Sequence, residues 1–200
     1  MFENEFKGKV VLVTGGSRGI GFAAVKGFLA GGAKVYFLSH YEETGAKALA
    51  ALKEINPDYE VMTKAIDLCD YKAVQELYKE IIAKWGRLDV LVNNAGVLDT
   101  GLATVDHFDD EEIRKVVSIN QIGSMQCIRA AMTELKAGAS IVNVASVAGV
   151  NGGGGAAYVS SKAAIIGITK HTALLLAGES IRCNAVCPGN IVTPMTMNMD

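Results

Sequence analysis

Cysteine, proline and charge of one sign are all scarce in this chain, and each scarcity narrows what it can be. Only 4 of the 200 residues are cysteine. Cys69, Cys127, Cys183 and Cys187 form no C-x-x-C pair and have no neighbouring histidine, so they read as ordinary buried thiols and no metal site is expected. With 3 prolines beside 50% hydrophobic and 20% charged residues, the composition excludes a disordered or collagen-like chain. A net charge of -2 and the lack of a Lys/Arg block leave no general attraction to nucleic acid or to anionic membrane surfaces. No apolar run is long enough to span a bilayer. The stretch Met1 to Lys9 opens with acidic residues, Glu3 and Glu5, and lacks the basic start and apolar centre of a secretion signal, so a soluble, cytoplasmic chain is expected.

What is abundant is glycine, 22 residues of it, placed between apolar runs. Two hundred residues can bury a sizeable core, and no repeat, low-complexity tract or linker divides them, so residues 1–200 are expected to form one domain. Lys9 to Thr14 is a short β-branched run that ends at a glycine cluster, the pattern of a strand buried on both faces. The alternation then continues: helix Ile20 to Ala30, strand Lys34 to Leu38, helix Glu42 to Ile55, strand Glu60 to Ile66, helix Tyr71 to Trp85 and strand Leu88 to Asn93. A loop around Leu98 to Asp106 leads to a predicted helix from Asp109 to Lys136, a strand Ser140 to Ala145, a helix over 157–177 and a strand Ser180 to Cys187. Strict alternation predicts an α/β, doubly wound fold with a mostly parallel sheet, whose ligand lies beyond the carboxyl ends of the strands.

Two stretches at those ends carry chemistry. In Thr14-Gly15-Gly16-Ser17-Arg18-Gly19-Ile20-Gly21, Gly15 permits a tight turn. Gly19 and Gly21 remove the β-carbons that would keep a phosphate or the strand from the helix start, whose free N–H groups favour an anion. Tyr158 and Lys162 stand four residues apart and share a helix face. An ammonium there favours the phenolate, lowers the phenol from its usual value of roughly 10, and fits it to exchange a proton with an alcohol or carbonyl.

With its Thr-Gly-x-x-x-Gly-x-Gly turn, the chain resembles the short-chain dehydrogenase/reductase family. The resemblance runs through Asp67-Leu68, Asn93-Asn94-Ala95-Gly96, Asn120 in Ser118-Ile119-Asn120, Ser146, Tyr158-x-x-x-Lys162 and Pro188-Gly189-Asn190-Ile191-Val192-Thr193, in order along nearly the whole chain. It implies a Rossmann fold and an oxidoreductase moving a hydride between a nicotinamide cofactor and a secondary alcohol or ketone. The implied catalytic set is Tyr158 as general acid/base, Lys162 beside it and on the nicotinamide ribose, Ser146 on the substrate oxygen, and Asn120 holding a water that resupplies the proton. The implied cofactor residues are Gly15, Ser17, Arg18, Gly19, Ile20, Gly21, Ser39, His40, Asp67, Leu68, Asn94, Ala95, Gly96, Pro188, Gly189, Ile191 and Thr193, with Tyr158 and Lys162. Asp67 would meet the adenine ring, and the Pro188 stretch would lie along the nicotinamide.

The expected acid at the end of the second strand is replaced by Ser39. Arg18 stands where NADP-using relatives meet the extra phosphate, with His40 able to assist when protonated, so NADP(H) is favoured over NAD(H). The loop Val147 to Ala157 is one residue shorter than the family's, a change that the run Gly152 to Gly155 can absorb. Only five residues follow Met195, where the family has a substrate lid and a last strand, so a C-terminally truncated piece of a longer enzyme is expected. Helices 109–136 and 157–177, with Met125, Met132, Ile165, Ile168 and Leu174, correspond to those the family pairs within dimers and tetramers; core packing would equally explain these residues. A 3-oxoacyl carrier-protein reductase, a hydroxysteroid or bile-acid dehydrogenase, and a sugar or polyol dehydrogenase all remain open as substrate classes. A non-catalytic nucleotide-binding sensor or scaffold is the alternative function.

Overall fold

The structure is a computed structural model that describes residues 4–197. Met1–Glu3 and Asn198–Asp200, parts of the two terminal stretches read above, lie outside the described residues. Six strands make one sheet in the order β3-β2-β1-β4-β5-β6: β1 Val10–Val13, β2 Lys34–Ser39, β3 Val61–Ala65, β4 Val90–Asn93, β5 Ser140–Val144 and β6 Arg182–Val186. Every pairing is parallel, so the sheet is wholly and not just mostly parallel among the described residues. The helices are α1 Gly19–Ala30, α2 Glu42–Ile55, α3 Tyr71–Trp85, α4 Asp110–Val117, α5 Ser124–Ala131, α6 Ala148–Asn151 and α7 Ala156–Leu176.

The apolar run of β1 is continuous because it serves two cores. Val10 and Leu12 join Val74, Leu77 and Ile81 of α3 and Cys127 and Ile128 of α5 on one face. Val11 and Val13 meet Val25 and Leu29 of α1 and Ala48 and Leu52 of α2 on the other. The chain lays strands outward from β1 to β3, then returns to place β4 on the other side of β1. That reversal opens the crevice in which such sheets hold ligands. Among the described residues, no helix is long and apolar enough to cross a membrane.

The predicted helix 109–136 is not one regular helix. Asp109 caps α4 by accepting from the Glu111 and Glu112 N–H groups, a six-residue π segment follows over Ser118–Gly123, and α5 stops at Ala131. Where the turn widens, Gly123 lies so near Leu68 that a β-carbon there would be 2.9 Å from the Leu68 Cβ; locally, Ser124 Oγ bonds back to Asn120 O at 2.8 Å. The short glycine loop is resolved by α6 followed by Gly152 at φ 79° and Gly154 at φ 143°, backbone states that β-carbons disfavour. Of the thiols, Cys127 and Cys183 are buried, whereas Cys69 and Cys187 are half-buried, a departure from the expectation for all four.

Candidate active site

The carboxyl ends of the central strands are tied together before any ligand is considered. Thr14 Oγ1 accepts from Asn94 N and Ala95 N, both at 3.0 Å. Asn94 Nδ2 in turn donates to Thr14 O at 3.1 Å and Gly15 O at 3.0 Å. Gly15 (φ 64°) and Gly19 (φ 55°) turn the chain into α1. A β-carbon on Gly21 would lie 2.2 Å from Gly15 O and 2.4 Å from Asn94 Nδ2, so Gly21 sets how closely the helix seats on the turn. It is the one expected cofactor residue that does not line the cavity.

That cavity, about 470 Å³, runs from the glycine turn to Tyr158. Arg18 precedes α1 without capping it, which leaves the first-turn N–H groups to an outside anion. Its side chain is exposed and has no partner among the described residues. Ser17, Gly19 and Ile20 line this end. Ser39 is buried and donates to Tyr41 O at 2.9 Å, while the exposed His40 ring stands edge-on to Tyr41, 4.5 Å between centroids. Asp67 lines the wall with Leu68, one carboxylate oxygen already accepting from Cys69 N at 2.8 Å. Ala95, Gly96, Pro188, Gly189, Ile191 and Thr193 complete the enclosure. A bound dinucleotide fits these features: a Cβ-free turn, unfilled helix N–H groups and an exposed guanidinium at one end, and a serine, tyrosine and lysine gathered at the other. Lys115 and Ile119 also line the cavity and were missed from the sequence. Their spacing of four, ending next to Asn120, is the signal that could have found them.

At the far end, Ser146, Tyr158 and Lys162 converge. Ser146 follows β5, is buried, lines the cavity beside Tyr158 and accepts from Ala148 N at 3.1 Å. Lys162 Nζ donates to Val144 O at 2.8 Å and lies 5.6 Å from the Tyr158 ring centroid. Burial pulls the ammonium down to about 8, with a weaker upward influence from the Cys187 thiol. Tyr158 is pushed up, first by burial and also by the Asp99 carboxylate, against a lowering hydrogen bond from Ser146. This direction is opposite to the one the Tyr–Lys spacing predicts.

Asn120 is buried in the π segment and does not line the cavity. Its side chain is committed to protein partners: Oδ1 accepts from Val97 N at 2.8 Å, and Nδ2 donates to Val97 O at 2.9 Å and Ser161 Oγ at 3.0 Å. It braces the chain after β4 against α7. The same strap is held by Thr100, whose N–H and hydroxyl donate to Glu112 Oε1 at 2.9 and 3.0 Å, and by Ala103 O, which accepts from Ala156 N at 2.8 Å.

A family model described as short chain dehydrogenase matches residues 9–200. Over 193 residues the chain is 39% identical to a 3β-hydroxysteroid dehydrogenase of Mediterraneibacter gnavus, covering 96% of this chain and 69% of that protein. Levodione reductase superposes with a TM-score of 0.92 at 34% identity, covering 97% of this chain and 76% of that one. NAD+-bound xylitol dehydrogenase superposes with a TM-score of 0.86, also at 34% identity, covering 92% and 71% of the two chains.

Proposed function

The chain belongs to the short-chain dehydrogenase family and is an NAD(P)-dependent oxidoreductase; from that premise we propose that it interconverts a secondary alcohol and its ketone with NADP(H), Tyr158 being the general acid and base. The observation that carries this reading is the convergence of Ser146, Tyr158 and Lys162 on the cavity that begins at the glycine turn. The nicotinamide, when bound, supplies or accepts the hydride at the substrate carbon. Ser146 donates a hydrogen bond to the substrate oxygen, and Tyr158 gives that oxygen its proton as negative charge develops; alcohol oxidation reverses both steps. Lys162 carries its charge at pH 7, below its value of about 8, and favours the phenolate that remains. Asn120 keeps strap and helix in register around them.

NADP(H) is favoured by the unpartnered Arg18 and by Ser39 standing where an acid would repel a 2′-phosphate. Glu42 and Glu43 follow nearby but do not line the cavity. Pairing of copies is supported by Met125, Met132 and Leu174, which are exposed; Ile165 and Ile168 belong to the core.

The test is oxidation of NADPH and of NADH by the purified protein, with β-ketoacyl thioesters, steroid ketones and simple diketones, beside Tyr158→Phe. The expected result is turnover preferring NADPH that falls by roughly 10²–10⁴-fold in the variant, with nucleotide affinity kept. Equal turnover in the two proteins would remove Tyr158 from the reaction.

A further inference from the structure

An asparagine followed by glycine is the least hindered setting for the side-chain amide to react with the backbone, because no β-carbon crowds the next nitrogen. Asn151 is the one asparagine in the chain that glycine follows. It ends α6, is exposed, and its Nδ2 has no partner among the described residues, so the amide nitrogen is free to leave. Asn151 Oδ1 accepts from Gly153 N at 3.0 Å, which closes a ring containing both Asn151 Cγ and the Gly152 nitrogen and draws electrons from that Cγ. At Gly152, with φ at 79°, a β-carbon would meet nothing within 4 Å, so water and base reach the pair. The bond from Gly152 N to Ala148 O, 2.9 Å, opposes reaction, but it closes a four-residue helix whose exposed end opens locally at little cost. Other asparagines are placed differently. Asn93, Asn94, Asn120 and Asn143 have bonded side-chain amides, and the exposed Asn184 and Asn190 precede residues whose side chains crowd the attacking nitrogen.

We propose that Asn151 and Gly152 form a self-modifying site, which converts to a succinimide and then to aspartate or isoaspartate, and that this conversion slows the enzyme. The Gly152 nitrogen gives its proton to solvent base and forms a bond to Asn151 Cγ; the Cγ–Nδ2 bond breaks and ammonia leaves. Water then opens the imide ring at Cγ, giving aspartate, or at the main-chain carbonyl, giving isoaspartate. Nothing is oxidised or reduced. The effect on turnover follows from where the site lies. Succinimide formation consumes the N–H that holds Ala148 O, and isoaspartate leaves an extra carbon in the main chain between Ser146 and Tyr158. Ala148 N also binds Ser146 Oγ, and Gly149 lies against the Lys162 backbone, so a slackened α6 disturbs two of the three converging residues. The chemistry at Asn151 is independent of the roles given to Ser146, Tyr158 and Lys162; its effect on turnover rests on them.

The experiment holds wild type, Asn151→Ser and Tyr158→Phe in warm, mildly alkaline buffer and samples them over days for peptide mapping by mass spectrometry and for turnover. A serine hydroxyl can accept from the nitrogen two residues on, as the asparagine oxygen does, and has no amide to lose. In wild type the peptide spanning Asn151 should lose ammonia and then gain water before any other asparagine peptide changes, and Tyr158→Phe should convert at the same rate. Wild-type turnover should fall in step with the converted fraction, whereas Asn151→Ser keeps its starting rate. A map in which Asn151 stays intact, or converts no sooner than Asn184 or Asn190, would overturn the site. Conversion with turnover unchanged would overturn its effect on the enzyme. If Asn151→Ser does not fold, partly converted wild type separated by charge gives the same comparison between modified and unmodified molecules. If fresh wild type turns over no ketone, the functional reading fails and the effect on turnover falls with it, while the peptide map still decides the site.

Discussion

Lys162 bears a cost that the fold could shed. The residue is 5% exposed, and its ammonium has Val144 O as its hydrogen-bond partner and is held down to about 8 by burial. Below that pH both folded and unfolded chains carry the proton, and the folded state bears the whole cost of burying it. Between about 8 and the unfolded value of roughly 10.4, the unfolded chain binds more protons and stability rises with pH. A depression of this size corresponds to roughly 3 kcal/mol, of which leaving Val144 O unsatisfied would return about 1 kcal/mol. Lys162→Met should therefore abolish turnover yet raise Tm at pH 7 by about 4–8 °C, the gain shrinking toward pH 10. Thermal melts across that range check it; a lower Tm at every pH would show that the buried charge is compensated.

At the scale of elements, α6 packs directly on the turn of α7 that carries Lys162. A β-carbon on Gly149 would lie 2.6 Å from Ala163 N and 2.6 Å from Lys162 C, both backbone atoms that cannot swing aside. Gly149→Ala should push α6 off α7 and shift Ser146, whose hydroxyl accepts from the first residue of α6. The expected loss is about 1–3 kcal/mol in stability, with at least roughly a tenfold fall in kcat, measured by denaturant melts and steady-state rates. A fall in stability with kcat untouched would separate α6 from the chemistry. How an element could be read from sequence depended on where its ends are decided. Helix 71–85 was legible because Asp70 and Gly86, its own neighbours, start and stop it. The π segment was not, because Leu68, far away along the chain, packs against its Gly123. The same divide runs through the site. Ser146 follows the end of β5 and Tyr158 and Lys162 lie in the first two turns of α7, in recognisable order, and they do converge on the cavity. Gly21 and Asn120 were legible as positions, but neither lines the cavity: Gly21 lies against Gly15 O and Asn94, and the Asn120 side chain is bonded to Val97 and Ser161. Asp99 gave no local signal, because the lack of a partner for its buried carboxylate oxygens is a property of the folded neighbourhood.

At the scale of the whole molecule, β1 and β4 must be neighbours although β2 and β3 come between them in the chain, and the sheet fixes this pair at both ends. At the carboxyl ends the Thr14–Asn94 bonds do so, and they shape the site. At the amino ends Asp89 does: it is 7% exposed, accepts from Val10 N and Arg87 Nε, both at 2.9 Å, and pairs with Lys9 at 3.4 Å. Burial alone would raise its carboxyl, but the Arg87 and Val10 hydrogen bonds and the two cations outweigh burial and lower it. A carboxyl lowered on folding contributes stability that is present above its unfolded value of about 3.9 and is lost as pH falls through the folded one. Because Arg87 and Lys9 are themselves about half exposed, the contribution is discounted to roughly 1 kcal/mol. Asp89→Asn should lower Tm at pH 7 by about 2–4 °C, and the two melting curves should converge as pH falls from about 4 through the folded value. A gap that stays constant from neutral to acid pH would mean that the side chain acts through the Val10 hydrogen bond and its shape, with its charge contributing nothing to the joining of the central strands.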